Sequence, residues 1–525
     1  MQRFAAVAPL TVLAATAWAG PFIADPLVLI SGPSPLAACI ADNVAGQPGT
    51  NFLGSEVEPS VDINPTNPAN LVAGYQQDRW SNGGSRSLVA SVSFNAGVSW
   101  SQVIIPGITL CAGGTAANGG DFHRATDPWV SFAPNGDVYF FSLSLDIEPP
   151  AGSPGGNGKN AMFVSKSTDG GLSWSAPVKV AEDLNPRFLN DKNTIIADPG
   201  DARFVYAVWD RLQSPMGAVI NPENVFGLGF KGPAMLARTA DGGQTWEPAR
   251  SIYDPGANSQ TIGNQIVVLP DGTLVNAFNE ILGFKNSDKG AKFDFNFSLI
   301  RSSDKGLTWT HGPATRAAKM QPMSLLRGSS VVDPDTGAAV RTGDIIPEIA
   351  VDRSIASPGH GNLYAVWQDA RFSGFTHDDI AFVRSTDGGF TWSAPIKVNL
   401  TPNSLPAGNQ QAFTPMVRVA ADGTIAVTYY DFRNNTSDPT TLPTDAFIVH
   451  CHPSTSVSCT NAADWASETR LTPTSFDLSR APVARGFFLG DYTGLTVDGN
   501  RFVPVFIQAG PAAGTSDAFA THAGP

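Results

Sequence analysis

The chain has 525 residues, 42% of them hydrophobic and only 15% charged, which is ample material for a large core. A net charge of −13 and a pI near 4.9 argue against nucleic acid as a partner, because phosphate binding needs a basic surface; the plain meaning of the acidity is solubility outside the cell. The 52 glycines and 41 prolines point to many short strands and turns, an all-β composition.

In chain order, Arg3, the apolar run over residues 4–18 and the small-residue site Ala17-Trp18-Ala19 have the pattern of a secretory signal peptide over residues 1–19. No later segment is long and apolar enough to span a bilayer, so the expectation is an exported, secreted protein. Residues 20–54 form an N-terminal segment that holds one strand, Pro26-Leu-Val-Leu-Ile, and residues 55–525 form the main domain. Of the four cysteines, Cys451 and Cys459 are near enough to staple one loop, which leaves Cys39 to meet Cys111; three connectivities are open, and this one is preferred.

From residue 55 onward the sequence repeats. SFNAGVSW, STDGGLSW, TADGGQTW, SSDKGLTW and STDGGFTW end at Trp100, Trp174, Trp246, Trp309 and Trp392. Each is read as a hairpin turn: the Asp carboxylate accepts from backbone N–H groups that follow it, the glycines tolerate positive φ, Ser or Thr closes the turn, and the Trp ring packs between neighbouring units. The first copy has Asn95 in place of Asp, and its turn is expected to be looser. Upstream of each Trp recurs an apolar strand, a turn, a second strand, a variable loop and a third strand. The first strands are read at Ser60-Val-Asp-Ile, Trp129-Val-Ser-Phe, Thr194-Ile-Ile-Ala, Gln265-Ile-Val-Val, Glu348-Ile-Ala-Val, Met416-Val-Arg-Val and Tyr492-Thr-Gly-Leu. Units six and seven lack the octapeptide. In unit six the segment from Cys451 to Cys459, followed by Trp465, is expected to replace it; unit seven ends after a third strand near Asp517-Ala-Phe-Ala.

These octapeptides resemble the Asp-box, or BNR, repeat of sialidases and related β-propellers, S-x-D-x-G-x-x-W. The resemblance implies a single β-propeller of four-stranded blades. Seven blades are favoured by the unit count, six being the alternative, with the strand at Pro26 supplying the last blade's missing fourth strand and closing the ring.

In such a ring the residues before strand one and after strand two open on one face, and the Asp-box turns on the other. After strand two stand Asp78-Arg79, Asp146, Asp210-Arg211, Glu280, Asp369 with Arg371, and Asp431 with Arg433, a recurrence that reads first as a network of ion pairs between blades. Before strand one stand Glu56, Glu58, Arg124, Asp127, Asp191, Lys192, Glu348, Arg485 and Asp491-Tyr492, which differ from blade to blade and converge near the axis, the better place for a ligand. Asp491-Tyr-Thr-Gly-Leu495 is similar to the late tyrosine context of sialidases. The resemblance makes Tyr492 a candidate nucleophile, with Glu348 or Glu280 as its base and Asp127 as general acid. Arg124, Arg371, Arg433 and Arg485 are the candidates to grip a substrate carboxylate, and Asp191, Lys192 and Asp491 complete the substrate-binding set. The Arg-Ile-Pro element of sialidases is missing from this chain.

The functional expectation is a secreted sialidase-like glycoside hydrolase acting on exposed, acidic glycans, with a glycan or glycoconjugate as partner. The alternatives are a non-catalytic carbohydrate- or protein-binding propeller and a polysaccharide lyase. His123, His377, His450 and His452 show no recurring metal-ligand spacing, and phosphate-loop, dinucleotide and serine-elbow motifs are lacking, so neither metal nor cofactor is implied.

Overall fold

The apolar stretches form strands where their alternation places them. A computed structural model describes residues 20–148, 156–214, 231–287, 290–327 and 330–525, and its described part is all-β save for short 3-10 turns and a single-turn helix at Ser324–Arg327. The signal-peptide segment lies outside the described residues. Among them, no helix is long and apolar enough to cross a membrane.

The strands run as successive antiparallel meanders. The first is Glu56–Ile63, Leu71–Arg79, Ser85–Ser93 and Ser101–Ile104. The second, Arg124–Phe132, Val138–Glu148, Gly156–Ser167 and Val178–Asp183, joins it through a single pair at Ser85 and Ala125. The third begins at Phe188–Ala197, the fourth at Gln260–Val268, the fifth at Glu348–Val351 and the sixth at Ala412–Val419. The last is Gly494–Asp498, Arg501–Ala509 and Ser516–Ala520; its first strand starts two residues beyond Tyr492. Each first strand packs against the first strand of the next meander, and Gly494–Asp498 packs against Glu56–Ile63. Val28–Leu29 pairs with Ser516–Ala520, in the segment read as a strand at Pro26, and Ile23–Ala24 adds a pairing with Ala523–Gly524 that the sequence did not announce.

The octapeptides fold alike. In the second meander Ser167 Oγ donates to Asp169 Oδ1 at 2.8 Å and accepts from the Gly171 N–H at 2.9 Å, while Asp169 takes the Ser173 N–H at 2.9 Å and its hydroxyl at 2.5 Å. Asp241, Asp304 and Asp387 repeat the set. The expectation of a looser first turn fails. Asn95 Oδ1 accepts the Ser99 N–H at 3.0 Å, and its amide donates to Ser99 Oγ at 2.9 Å, so an amide fills both positions of the carboxylate.

A second regularity joins neighbouring meanders. The residue immediately before the octapeptide's Ser or Thr is a cation that reaches the next turn's fourth carbonyl: Lys166 to Gly242 at 2.9 Å, Arg238 to Lys305, and Arg301 to Gly388 at 2.8 Å. At the first junction Asn70 does this to Gly170 at 3.0 Å; at the fifth, Arg384 donates to Ser458 at 2.8 Å, inside the loop closed by the Cys451–Cys459 disulfide. Trp465 follows that loop, donates to the Cys459 carbonyl at 3.0 Å and packs edge-on against Phe382 of the fifth meander, as Trp392 packs on Phe297 of the fourth. The disulfide loop thus does the work of the missing turn. The second disulfide, Cys39–Cys111, ties the N-terminal segment to the loop after Ser101–Ile104.

An insertion before the fifth meander has no counterpart in the repeat plan. Its strand Ala339–Arg341 pairs in parallel with Phe487–Phe488, just before the last meander.

Replacing Asp304 by Ala should cost about 1–2 kcal/mol, the worth of a capped turn, whereas Asp304→Asn should cost well under half of that, since Asn95 already shows the amide geometry. Denaturant midpoints of the two variants check this.

Candidate functional site

Five of the seven first strands share a defect in the same place. Their pairing slips at Glu58-Pro59, Asp127-Pro128, Lys192-Asn193, Gly263-Asn264 and Thr414-Pro415, and the leading residue of every pair has positive φ, from 49° at Lys192 to 69° at Gly263. A left-handed conformation in a residue other than glycine costs roughly 1–3 kcal/mol, and such strain gathers at functional sites. Cross-links between meanders hold the bulges. The Lys192 N–H donates to Asp127 Oδ2 at 3.1 Å, Asn193 Nδ2 to the Asp127 carbonyl at 2.8 Å, Thr194 Oγ1 to the Asn264 carbonyl at 2.8 Å, and the Thr414 N–H to Gln368 Oε1 at 3.0 Å.

The bulges crowd charge together. Lys192 Nζ lies 2.7 Å from Asp491 Oδ2, 3.4 Å from Glu58 Oε1 and 3.7 Å from Asp127 Oδ2. Asp491 is gripped from the other side by Arg341, through Nη2 at 2.6 Å and Nε at 3.1 Å. Glu58 Oε1 accepts the Asp491 N–H at 3.3 Å and its Oε2 accepts from Gln76, whose own carbonyl takes Arg79 Nη1 at 3.1 Å. Arg79 and Arg341 stand over the Phe488 ring, with centroid distances of 5.1 and 4.3 Å. The buried Tyr492 ring meets Trp129 edge-on, and its hydroxyl donates to the Pro128 carbonyl at 3.4 Å.

Burial and neighbouring charge set the protonation. Loss of water pushes the Glu58 carboxyl up to about 7, with Lys192 opposing and Asp127 and Asp491 reinforcing the shift. Burial would also raise Asp491, but Arg341 and Lys192 hold it well below the carboxylate range. Burial works against the Lys192 ammonium, yet the carboxylates of Asp127, Asp491, Glu58 and Asp191 keep it well above its ordinary value. Arg485 is brought down to about 10 chiefly by Arg341 beside it, and Arg79 to about 10 by burial and then Arg341. Burial sends the Tyr492 phenol well up.

Six residues marked from the sequence therefore come together: Asp127, Asp191, Lys192, Arg485, Asp491 and Tyr492. Glu348 is close enough for its charge to act on Tyr492, but its hydrogen bond is to Gln265 at 3.0 Å; burial moves it to about 7, with Arg418 opposing. The other arginines lie elsewhere. Arg124 is spent on Gln47, Asn82, Gly83 and Pro48 at 2.7–2.8 Å and sits over Trp80. Arg371 closes on Asp369, two residues before it, at 2.7 and 2.8 Å, and Arg433 is shared between Asp431 and Glu468. Glu280 is tied to Tyr253, Ser298 and Arg316. The residues after strand two thus make ion pairs largely within their own meander.

The site set read from the sequence leaves out three members of the cluster. Glu58 and Arg79 stand on the rim without being placed in the site, and Arg341 lies in the insertion. The signal for Glu58 is present as a second repeat, in which Pro or Asn follows the bulge residue and Val or Ile comes two positions later, as in Glu58-Pro-Ser-Val61 and Asp127-Pro-Trp-Val130.

With Arg79, Lys192, Arg341 and Arg485 assembled in one place, the cluster suits an anion. Among the described residues the one group of metal-ligand type is Asp42 with Cys39 and Cys111, whose sulfurs are spent in a disulfide. Lys192→Met would leave Glu58, Asp127 and Asp491 buried with one cation fewer and should destabilise the fold by about 3–5 kcal/mol, read from chemical unfolding.

No family model and no curated protein matches the chain. Among solved structures, it is similar to a protein of unknown function from Dyadobacter fermentans at 14% identity over 91% of this chain and 97% of that one, with a TM-score of 0.45. It is also similar to the Penicillium chrysogenum alpha-L-arabinanase, at 13% identity over 73% and 93% with a TM-score of 0.44, and to a Hadza microbial sialidase, at 14% identity over 86% and 73% with a TM-score of 0.43. Likenesses this distant assign neither family nor activity.

Proposed function

We propose that this chain is an exported, sialidase-like glycoside hydrolase that takes an anionic glycan at the mouth of a closed, seven-bladed propeller. The cycle of contacts among first strands, which runs from Glu56–Ile63 round to Gly494–Asp498 and back, supports the ring, with Val28–Leu29 as the closing strand of the last blade. Export is supported by the pattern of residues 1–19 and by two disulfides among the four cysteines.

The observation that carries the reading is the set of left-handed bulges that gathers carboxyl groups of unlike acidity, Glu58 raised and Asp491 lowered, around Lys192 and Arg341 and beside the exposed Arg485. Glycoside hydrolysis needs one carboxyl that keeps its proton near neutrality and a second that does not. Glu58, raised to about 7, is the proposed proton donor, and Asp127, across Lys192, is its partner. The exposed Arg485 is the proposed grip on the substrate's carboxylate; Arg341, which holds Asp491, adds its positive charge beside it, and Tyr492 forms part of the floor. One observation favours the second reading, a glycan-binding propeller without catalysis. The phenol of Tyr492 donates to a backbone carbonyl, and among the described residues no carboxylate stands ready to take its proton.

A panel of sialosides and uronate-bearing oligosaccharides decides between them. Under the hydrolase reading, Glu58→Gln lowers kcat roughly 10²–10⁴-fold, Tyr492→Phe changes it little, and Arg341→Ala raises KM about tenfold or more. Binding that depends on Arg341 without release of any sugar would establish the second reading, and unsaturated products would establish a lyase.

The pH dependence has a defined sign. As pH rises through about 7 the Glu58 donor loses its proton, so kcat/KM should fall on the alkaline side, and Glu58→Gln should remove that limb. Folding follows the same direction: the raised carboxyl contributes its stability fully below 4.5 and loses it as pH rises through about 7. Paired pH profiles of rate and of unfolding midpoint check both.

A further inference from the structure

On the end that carries the Asp-box turns, the fourth and fifth meanders leave a cleft of about 770 Å³. Arg301, Trp309 and His311 line it from one side; His360, Asp387 and Phe390 line it from the other. Arg301 is unlike two of its counterparts among the cations that cross from one meander to the next turn. Lys166 and Arg238 are balanced by Asp137 at 2.8 Å and Glu247 at 2.7 Å, whereas Arg301 has no carboxylate within ion-pair distance among the described residues. Its Nε is held by the Gly388 carbonyl and its Nη1 by Thr315, but its Nη2 is buried without an acceptor. The Asp387 carboxylate balances this half-buried cation only from beyond ion-pair distance, and an anion at the cleft would add the closer partner that burial makes favourable.

The surroundings specify what kind of anion. The guanidinium lies 3.9 Å from the centroid of the Phe390 ring, and Phe390 is 66% exposed. That octapeptide position holds Val98, Leu172, Gln244 and Leu307 in the other turns, so only the turn that Arg301 reaches presents an aromatic ring there. Trp309 Nε1, like Trp174 Nε1, lacks an acceptor: Trp100 and Trp392 donate to the glycine carbonyl three residues back, but the corresponding Gly306 carbonyl is taken by Arg250. The acids of the cleft are already committed, Asp387 to Ser385 and Thr391, and Asp271 to the Thr273 N–H at 2.9 Å. Among the described residues Arg301 is thus the one guanidinium lining the cleft, and it stands beside an exposed ring. We propose that this cleft is an accessory site for one anionic sugar residue, carboxylated or sulfated, whose apolar face stacks on Phe390 while its charge meets Arg301. The site is separate from the Lys192 cluster, and the inference stands whether or not that cluster is catalytic.

The test is calorimetric titration of the full chain with glucuronic acid, glucose 6-sulfate and glucose, in wild type and in an Arg341→Ala background that weakens the other site. Saturable binding of either charged sugar, persisting in Arg341→Ala and weakened about tenfold by Phe390→Ala, is the expected result. Phe390 is exposed, so its removal should leave the fold intact; Arg301→Gln, with its melting temperature checked, should weaken binding at least as much. The proposal is overturned if glucose binds as tightly, if Phe390→Ala binds like wild type, or if binding vanishes in Arg341→Ala alone.

Discussion

The arrangement rests on a hydrogen bond from a side chain of one meander to a main-chain carbonyl of the next. Lys166, Arg238, Arg301 and Arg384 each cross to a turn carbonyl in the following sheet, and Asn70 does so where no cation is present. The carbonyl is well placed because the Asp-box side chains fix the turn around it. Ser or Thr and Asp take up the turn's N–H groups, and the residue at the fourth position goes left-handed, as at Gly170, Gly242, Lys305 and Gly388. One local motif therefore does two jobs, ending its own hairpin and offering an acceptor to its neighbour.

From that spacing the site follows. Meanders held side by side at one end bring their first strands together, and five of the seven slip at corresponding residues. The slip turns Glu58, Asp127 and Lys192 into a single cluster with Asp491. None of these charges is tolerable alone in a buried setting; each depends on the others, and Arg341 supplies the last of the balance from outside the repeat. The strain of the left-handed residues is sustained by Asn193, Gln368 and the Asp127 carboxylate, which bond to the bulged backbone.

Much of the fold was legible because it is periodic. The octapeptides mark the ends of hairpins, and the apolar runs mark first strands to within a few residues. The disulfide loop at Cys451 could be read as a substitute turn because Trp465 keeps its place. The site was legible only where it shares that periodicity. Asp127, Lys192 and Asp491 were found because each comes just ahead of the apolar core of a first strand, whereas Arg341 lies in an insertion that no repeat predicts. Arg124, Arg371 and Arg433 were misleading for a definite reason: sequence position shows that a guanidinium is near the rim, but not that loop carbonyls or a nearby carboxylate already occupy it.

The amide at Asn95 sets the first turn apart from its relatives under acid conditions. Asp241, Asp304 and Asp387 are held down to about 2 by their hydrogen bonds, and what those carboxylates contribute disappears as pH falls through that value. Asn95 makes the same bonds with nothing to titrate. Strong acid would therefore strip the carboxylate bonds from these later hairpins, while the first turn keeps its amide bonds and the loop that replaces the turn in the sixth meander keeps its disulfide.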